Sequence, residues 1–422
     1  MTSMNNDKTF LLNATTGSDT QASGLGPSTA VYGSTASVTA GDNEVTGIDT
    51  TGITAGDVIW LDVATSTDRH FNIVQSVDSG TSLSCDYNWD SSEYITNWAC
   101  GGKRATLTEY GSLLEHPMAD EYTLQLETDA VYNNSSDTGG GTDFRNIVSD
   151  DPDTRRTISV ASTYFLRGGK FRLRHLAIEA TGAGNQYIFQ NNLTVGAVQC
   201  RATDVIFSDD TNEFYAINDG DLLYDRLLDL DADSCVFNSF SQGVFEDRVQ
   251  VHITNSVFRG GSQVALGQVN WVQEFVNCIF DKAPKITPVS PDSVTNNLLI
   301  RRCIFNRCGS LFTNMFPQSS SAIFSDFSGN IVVSCFFGAN SCTGGDGNFA
   351  HNTTMPSTFT NTTTLANDPL VDGANNDANI DDSTAGNILR AINISAGSNE
   401  LYPYRNFVTD NFGGGSVIVI ED

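Results

Sequence analysis

The chain has 422 residues, 37 of them glycine, with only 17% charged residues and a formal net charge of −28. That length allows two or three domains, and a composition rich in Gly, Ser, Thr, Asn and Asp suits loop-rich β-structure better than helices. Scarce Lys and Arg exclude an extended phosphate-binding surface, so neither nucleic acid nor an anionic membrane surface is an expected partner.

Residues 1–30 are polar with one apolar patch, "TFLL" at 9–12. They read as an extended arm with too few apolar residues to fold alone, expected to order only against a neighbour. The opening "MTSMNNDKTF" lacks a basic segment followed by an apolar one, and no run approaches 18 apolar residues. No secretory leader and no membrane insertion are therefore expected. Residues 31–107 carry short alternating segments, among them "DVIWLDV" and "HFNIVQSV", separated by turn signals such as "AGD" and "DSG". They predict a small β domain. It ends at "NWACGGKRATL", 97–107.

Residues 108–365 open with "HPMADEYTLQL" at 116–126, where Tyr122, Leu124 and Leu126 alternate. The one basic cluster follows at 156–175, with Arg156, Arg167, Lys170, Arg172, Arg174 and His175; it reads as solvated side chains or as a contact for an acidic partner subunit. A six-residue template then recurs: "LRHLAI" at 173, "ATDVIF" at 202, "ADSCVF" at 232, "ITNSVF" at 253, "FVNCIF" at 275, "IRRCIF" at 300, "VVSCFF" at 332 and a weaker "AHNTTM" at 350. Position 1 is apolar, position 3 polar, position 4 Cys or another small or aliphatic residue, and position 6 usually Phe. The intervals of 29, 30, 21, 22, 25, 32 and 18 residues exclude fixed-length helical repeats.

The geometry that fits is a right-handed parallel β-helix, whose stacked coils place equivalent side chains in ladders. Position 6 predicts an aromatic ladder of Phe207, Phe237, Phe258, Phe280, Phe305 and Phe337. Position 4 predicts an interior stack of Val205, Cys235, Ser256, Cys278, Cys303 and Cys335, with Cys chosen for small apolar bulk. Position 3 marks a bend between strands. Nine cysteines with no C-x-x-C pair predict free thiols, as in a protein made in a cytoplasm. Residues 366–422 read as a terminal coil and capping tail, closing with the apolar strand of "GGGSVIVIED".

Candidate chemistry is sparse. Asp209–Asp210 is the one carboxylate pair at a coil exit with a possible catalytic reading. "DLDADS" at 229–234 resembles a calcium loop, but Ser234 and Phe240 occupy the places where an EF-hand needs Gly and Glu. Asp229, Asp231 and Asp233 are left as a weak surface metal candidate, and a strand approaching a bend is the plainer reading. No two of the five histidines have metal-ligand spacing, and no cofactor is expected.

The coil template resembles the pectate-lyase-like right-handed β-helix superfamily, which includes phage tailspikes. The "GGKR" junction at 101–104 is similar to one in virion-associated β-helix proteins of marine phages. The resemblance implies a homotrimer at the virion surface, docked to other virion proteins through residues 1–107, as a capsid decoration or a tail spike or fibre that contacts a host-surface glycan. Two readings follow: a non-enzymatic structural protein, or a polysaccharide depolymerase. The Gly-His-Gly and Arg-x-Lys elements of the superfamily's polygalacturonases are absent from the sequence.

Overall fold

A computed structural model describes residues 8–63, 69–89, 92–107, 122–132, 144–151, 153–161, 164–167, 169–181, 186–190, 198–209, 214–218, 228–238, 249–259, 264–266, 273–282, 286–288, 298–309, 323–336, 343–372, 377–380, 408–409 and 418–419. Every regular element among them is a strand. The chain forms a right-handed parallel β-helix preceded by a small β domain, and it divides into two compact units, 1–182 with 194–198, and 183–193 with 199–422.

In the first unit, the strands Ala36–Val38, Glu44–Thr46, Ser82–Cys85, Arg69–Ser79, Val58–Val63 and Glu93–Cys100 pair antiparallel in a closed ring, and Val31–Gly33 is added to Glu93–Cys100. Alternation along these strands sends Val45, Ile59, Leu61, Val74, Leu83, Ile95 and Trp98 into one core. The N-terminal segment is extended but does not wait for a neighbour. Lys8–Leu12 is a strand paired in parallel with Tyr122–Leu126, and coil ladders build on it, Phe10 over Leu124, Ile147 and Leu173. Its other edge is filled by the chain itself: Leu11 N–H donates to Gly24 O, and Arg104 N–H to Leu11 O. "TFLL" is therefore core sequence, with Phe10 and Leu12 buried.

The second unit stacks the template coils. Parallel pairing places Phe207, Phe237, Phe258, Phe280 and Phe305 in register, with ring centroids 5.2, 4.7, 4.8 and 4.8 Å apart. Burying each ring contributes about 1.5–3 kcal/mol, and each stacked pair adds about 0.5–1.5 kcal/mol.

Position 3 is a left-handed corner throughout. Asp204, Ser234, Asn255, Asn277 and Arg302 have φ of 56, 56, 50, 56 and 54°, and His175 in the first unit has 53°. Asp204, Asn255 and Asn277 suit the corner because Asn and Asp tolerate this region better than most non-glycine residues, and Ser234 and Arg302 show that the stack can impose it on less suited ones.

Such a corner takes the position 4 N–H out of backbone pairing, while its C=O still accepts from the next coil, and side chains take over. The Cys278 thiol donates to Ile253 O and the Cys303 thiol to Phe275 O, each reaching the preceding coil. In return Cys278 N–H donates to Cys303 Sγ, Cys235 N–H to Ser256 Oγ, and Cys303 N–H to Asn330 Oδ1. From Cys235 onward position 4 therefore carries a small side chain that both donates and accepts, whereas the earlier coils hold the buried aliphatic Leu176 and Val205 there. This corrects the explanation by apolar bulk alone and explains why Ser256, Asn330 and Asn348 share the column with cysteines.

The template's register also needs correction beyond Phe305. Its partner is Val332, through the coil "FSGNIV" at 327–332, with Gly329 at the corner and Asn330 at position 4. The next coil is "GDGNFA" at 345–350, with Gly347 and Asn348 in those places. "VVSCFF" and "AHNTTM" instead pass through a second left-handed corner, made by Lys282, Arg307, Ser334 and Asn352. There Cys335 pairs with Cys308, whose N–H donates to Cys335 Sγ, and Thr353 Oγ1 accepts from Cys335 N–H. Phe337 lies outside the described residues.

The last coils are closed by the chain's own side chains. A Cβ on Gly345 would lie 2.3 Å from the Phe359 ring, and the space left by the missing side chain lets Phe359 pack 5.4 Å from Phe327. Leu365 and Leu370 join the core beside Phe349. Val408–Thr409 and Ile418–Val419 of the tail pair with each other.

Candidate functional site

One outward face of the second unit carries a strip of charge. Two residues before each corner, position 1 points inward, so the residue before it points out. In successive coils these outward residues are Arg201, Asp231, His252 and Glu274, with Asp231 opposite His252 and His252 opposite Glu274. Asp326 occupies the same outward row two coils further on, and Arg301 reaches in from the neighbouring column.

Acidic and basic side chains adjoin one another along this strip, interrupted in its row by Leu299. Arg201 Nε is 3.8 Å from Asp231 Oδ2, and His252 Nδ1 is 3.7 Å from Asp231 Oδ1. His252 Nε2 is 3.4 Å from Glu274 Oε2, and Arg301 bridges Glu274 at 3.2 Å and Asp326 at 2.6 Å. Arg201, Asp231 and His252 are more than half exposed. Individual exposed pairs contribute only about 0–1 kcal/mol, so the strip adds little to the stability of the fold.

The aspartates singled out from the sequence lie beside and within it. Asp229, Asp231 and Asp233 alternate along the strand Leu228–Asp233 and project from one side, roughly 6–7 Å apart, rather than converging. Burial, reinforced by the Asp231 charge, pushes the Asp229 carboxyl up, against the opposing pull of Arg201. Asp233 accepts from Thr254 Oγ1 and Asn255 Nδ2, which fastens two coils together. Among the described residues no three His, Cys, Asp or Glu side chains form a metal-binding group. Asp209 ends the strand Val198–Asp209, its side chain is not described, and Asp210 lies outside the described residues.

His252, Glu274, Arg301 and Asp326 were missed by motif reading. The signal was available, since the position immediately before the template gives Arg, Asp, His and Glu in four successive copies. Of the basic cluster, Arg156 Nε is 2.8 Å from Asp150 Oδ1, and that carboxylate raises the guanidinium's pKa. Lys170, Arg172 and His175 are also engaged.

No protein-family model and no curated protein matches the chain. Among solved structures it is similar to the tailspike protein gp49 from Pseudomonas phage LKA1, at 12% identity over 81% of this chain and 64% of that one, with a TM-score of 0.25. It is also similar to the Gp54 tailspike of Acinetobacter baumannii bacteriophage AP22, solved in complex with A. baumannii capsular saccharide, at 11% identity over 79% of this chain and 64% of that one, TM-score 0.22. The chain thus spans slightly under two thirds of each tailspike.

Proposed function

We propose that this chain is a non-enzymatic structural protein of a bacteriophage virion, a tailspike-like or capsid-decorating β-helix that contacts a host-surface glycan. The observation that carries the reading is the charged strip on the solenoid. Asp231, Glu274 and Asp326 are each tied to a cation from another coil. Glycoside hydrolysis instead needs two carboxylates facing each other across a substrate, one able to give up a proton. An ordered polar strip suits recognition of a polar polymer.

The protein is proposed to be a homotrimer, which would hide solenoid faces and match a threefold site on a particle. Residues 1–107 are proposed to dock on other virion proteins. Light scattering of the purified protein tests the trimer, and a monomer at micromolar concentration contradicts it. Incubation with host capsular polysaccharide tests the chemistry. Binding without release of oligosaccharides is expected. Fragments whose release is abolished by Asp209→Asn or Asp210→Asn would establish the depolymerase alternative.

A further inference from the structure

The "GGKR" turn brings together three residues far apart in the first unit. Lys103 Nζ and Asn13 Nδ2 both donate to Glu127 Oε2, at 2.5 and 3.0 Å. Asn13 Oδ1 accepts two backbone N–H groups, from Thr15 at 3.0 Å and Thr16 at 2.9 Å. The frame is fixed on all sides: Glu127 N–H donates to Leu12 O, Ala14 N–H to Thr128 Oγ1, and Ser18 N–H to Lys103 O. The Glu127 side chain is only 19% exposed.

These are the parts that amide exchange requires. Lys103 supplies an amine nucleophile and Asn13 a carboxamide. The carbonyl oxygen of that carboxamide already rests on two N–H donors, where an oxyanion would develop. A single carboxylate oxygen touches both the nucleophile and the leaving nitrogen. An ion pair alone would need Lys103 and Glu127. The placement of Asn13, with its amide nitrogen on the same oxygen, goes beyond that.

We propose that Lys103 and Asn13 join in an intramolecular isopeptide bond, with Glu127 as the acid–base group. Lys103 Nζ passes a proton to Glu127 and attacks Asn13 Cγ, forming the new C–N bond while the Thr15 and Thr16 N–H groups hold the oxygen. Glu127 hands that proton to Nδ2, the Cγ–Nδ2 bond breaks, and ammonia departs. A second proton leaves Nζ through Glu127 and goes with the ammonia as ammonium, which restores the carboxylate. Nothing is oxidised or reduced. The product staples the segment after the first strand to the end of the small barrel, so that Lys8–Leu12 cannot peel from its neighbours.

Intact mass spectrometry of the full purified chain tests this. The expected mass is about 17 Da below that of the sequence, one ammonia lost, and digestion should yield a branched peptide joining residues 13 and 103. Lys103→Arg keeps a cation on Glu127 but cannot form the bond, and Glu127→Gln removes the acid–base group. Both should have the full mass with an unchanged far-UV circular dichroism spectrum. A folded wild-type chain that keeps its full mass after prolonged incubation overturns the proposal. So does a loss of ammonia that persists in Lys103→Arg, since that would come from cyclisation of an asparagine on its own backbone.

Discussion

Replacing Asn330 separates the two explanations of the position 4 column. The side chain is fully buried, Nδ2 donates to Ile300 O at 3.0 Å, and Oδ1 accepts from Cys303 N–H at 2.8 Å. Asn330→Ala leaves the buried Cys303 N–H without its acceptor and removes one of the donors to Ile300 O. At about 1–3 kcal/mol for the buried unsatisfied N–H and about 0.5–1.5 kcal/mol for the bond lost at the carbonyl, the cost is about 1.5–4.5 kcal/mol. Asn330→Cys should restore both bonds, because Cys303 makes the equivalent pair in the preceding coil. Its cost should stay near 1 kcal/mol, within the spread for a conservative interior exchange. Urea unfolding followed by far-UV circular dichroism measures both, with unfolding rates substituted if refolding fails. An Asn330→Ala chain as stable as wild type, or an Asn330→Cys chain as unstable as Asn330→Ala, would refute the hydrogen-bonding account of the column.

Phe258 packs between Phe237 and Phe280, and Phe258→Ala should cost about 3–5 kcal/mol in the same assay. Cys278, Cys303 and Cys335 are buried free thiols and should react with a thiol reagent only in denaturant; a disulfide among them contradicts the fold. Burial pushes the Cys85 and Cys235 thiols from an ordinary 9.0 up to about 12. Above about pH 9 the unfolded chain therefore loses thiol protons that the native chain keeps, and stability should fall as pH rises toward 12, measured as a declining urea midpoint.

The ring ladder from Phe207 to Phe305 was legible because phenylalanine recurs beside an apolar, a polar and a small position, and only stacking explains that set. The register failed at Phe305 because the next coil replaces the polar-Cys pair with Gly329–Asn330 and the ring with Val332. "VVSCFF" offered a closer textual match five residues on, but it belongs to a different corner. Physically, Gly meets the left-handed requirement better than any residue, and Asn meets the hydrogen-bonding one, so the substitution conserves function while erasing the pattern. The N-terminal segment misled for another reason. "TFLL" buries its apolar side chains against strands more than a hundred residues later, beginning at Tyr122, and no local window contains that pairing. The charged strip was hidden because its residues share a row only after the coils are aligned.

The central claim is that this chain belongs to a virion and faces outward. Purified particles of a phage found to carry the coding sequence, labelled with gold-conjugated antibody against residues 199–422 and viewed by electron microscopy, test it most directly. Gold at the capsid surface or tail tip, with the chain found by mass spectrometry of the same particles, is the predicted result. Particles that infect normally yet contain none of the chain would contradict it.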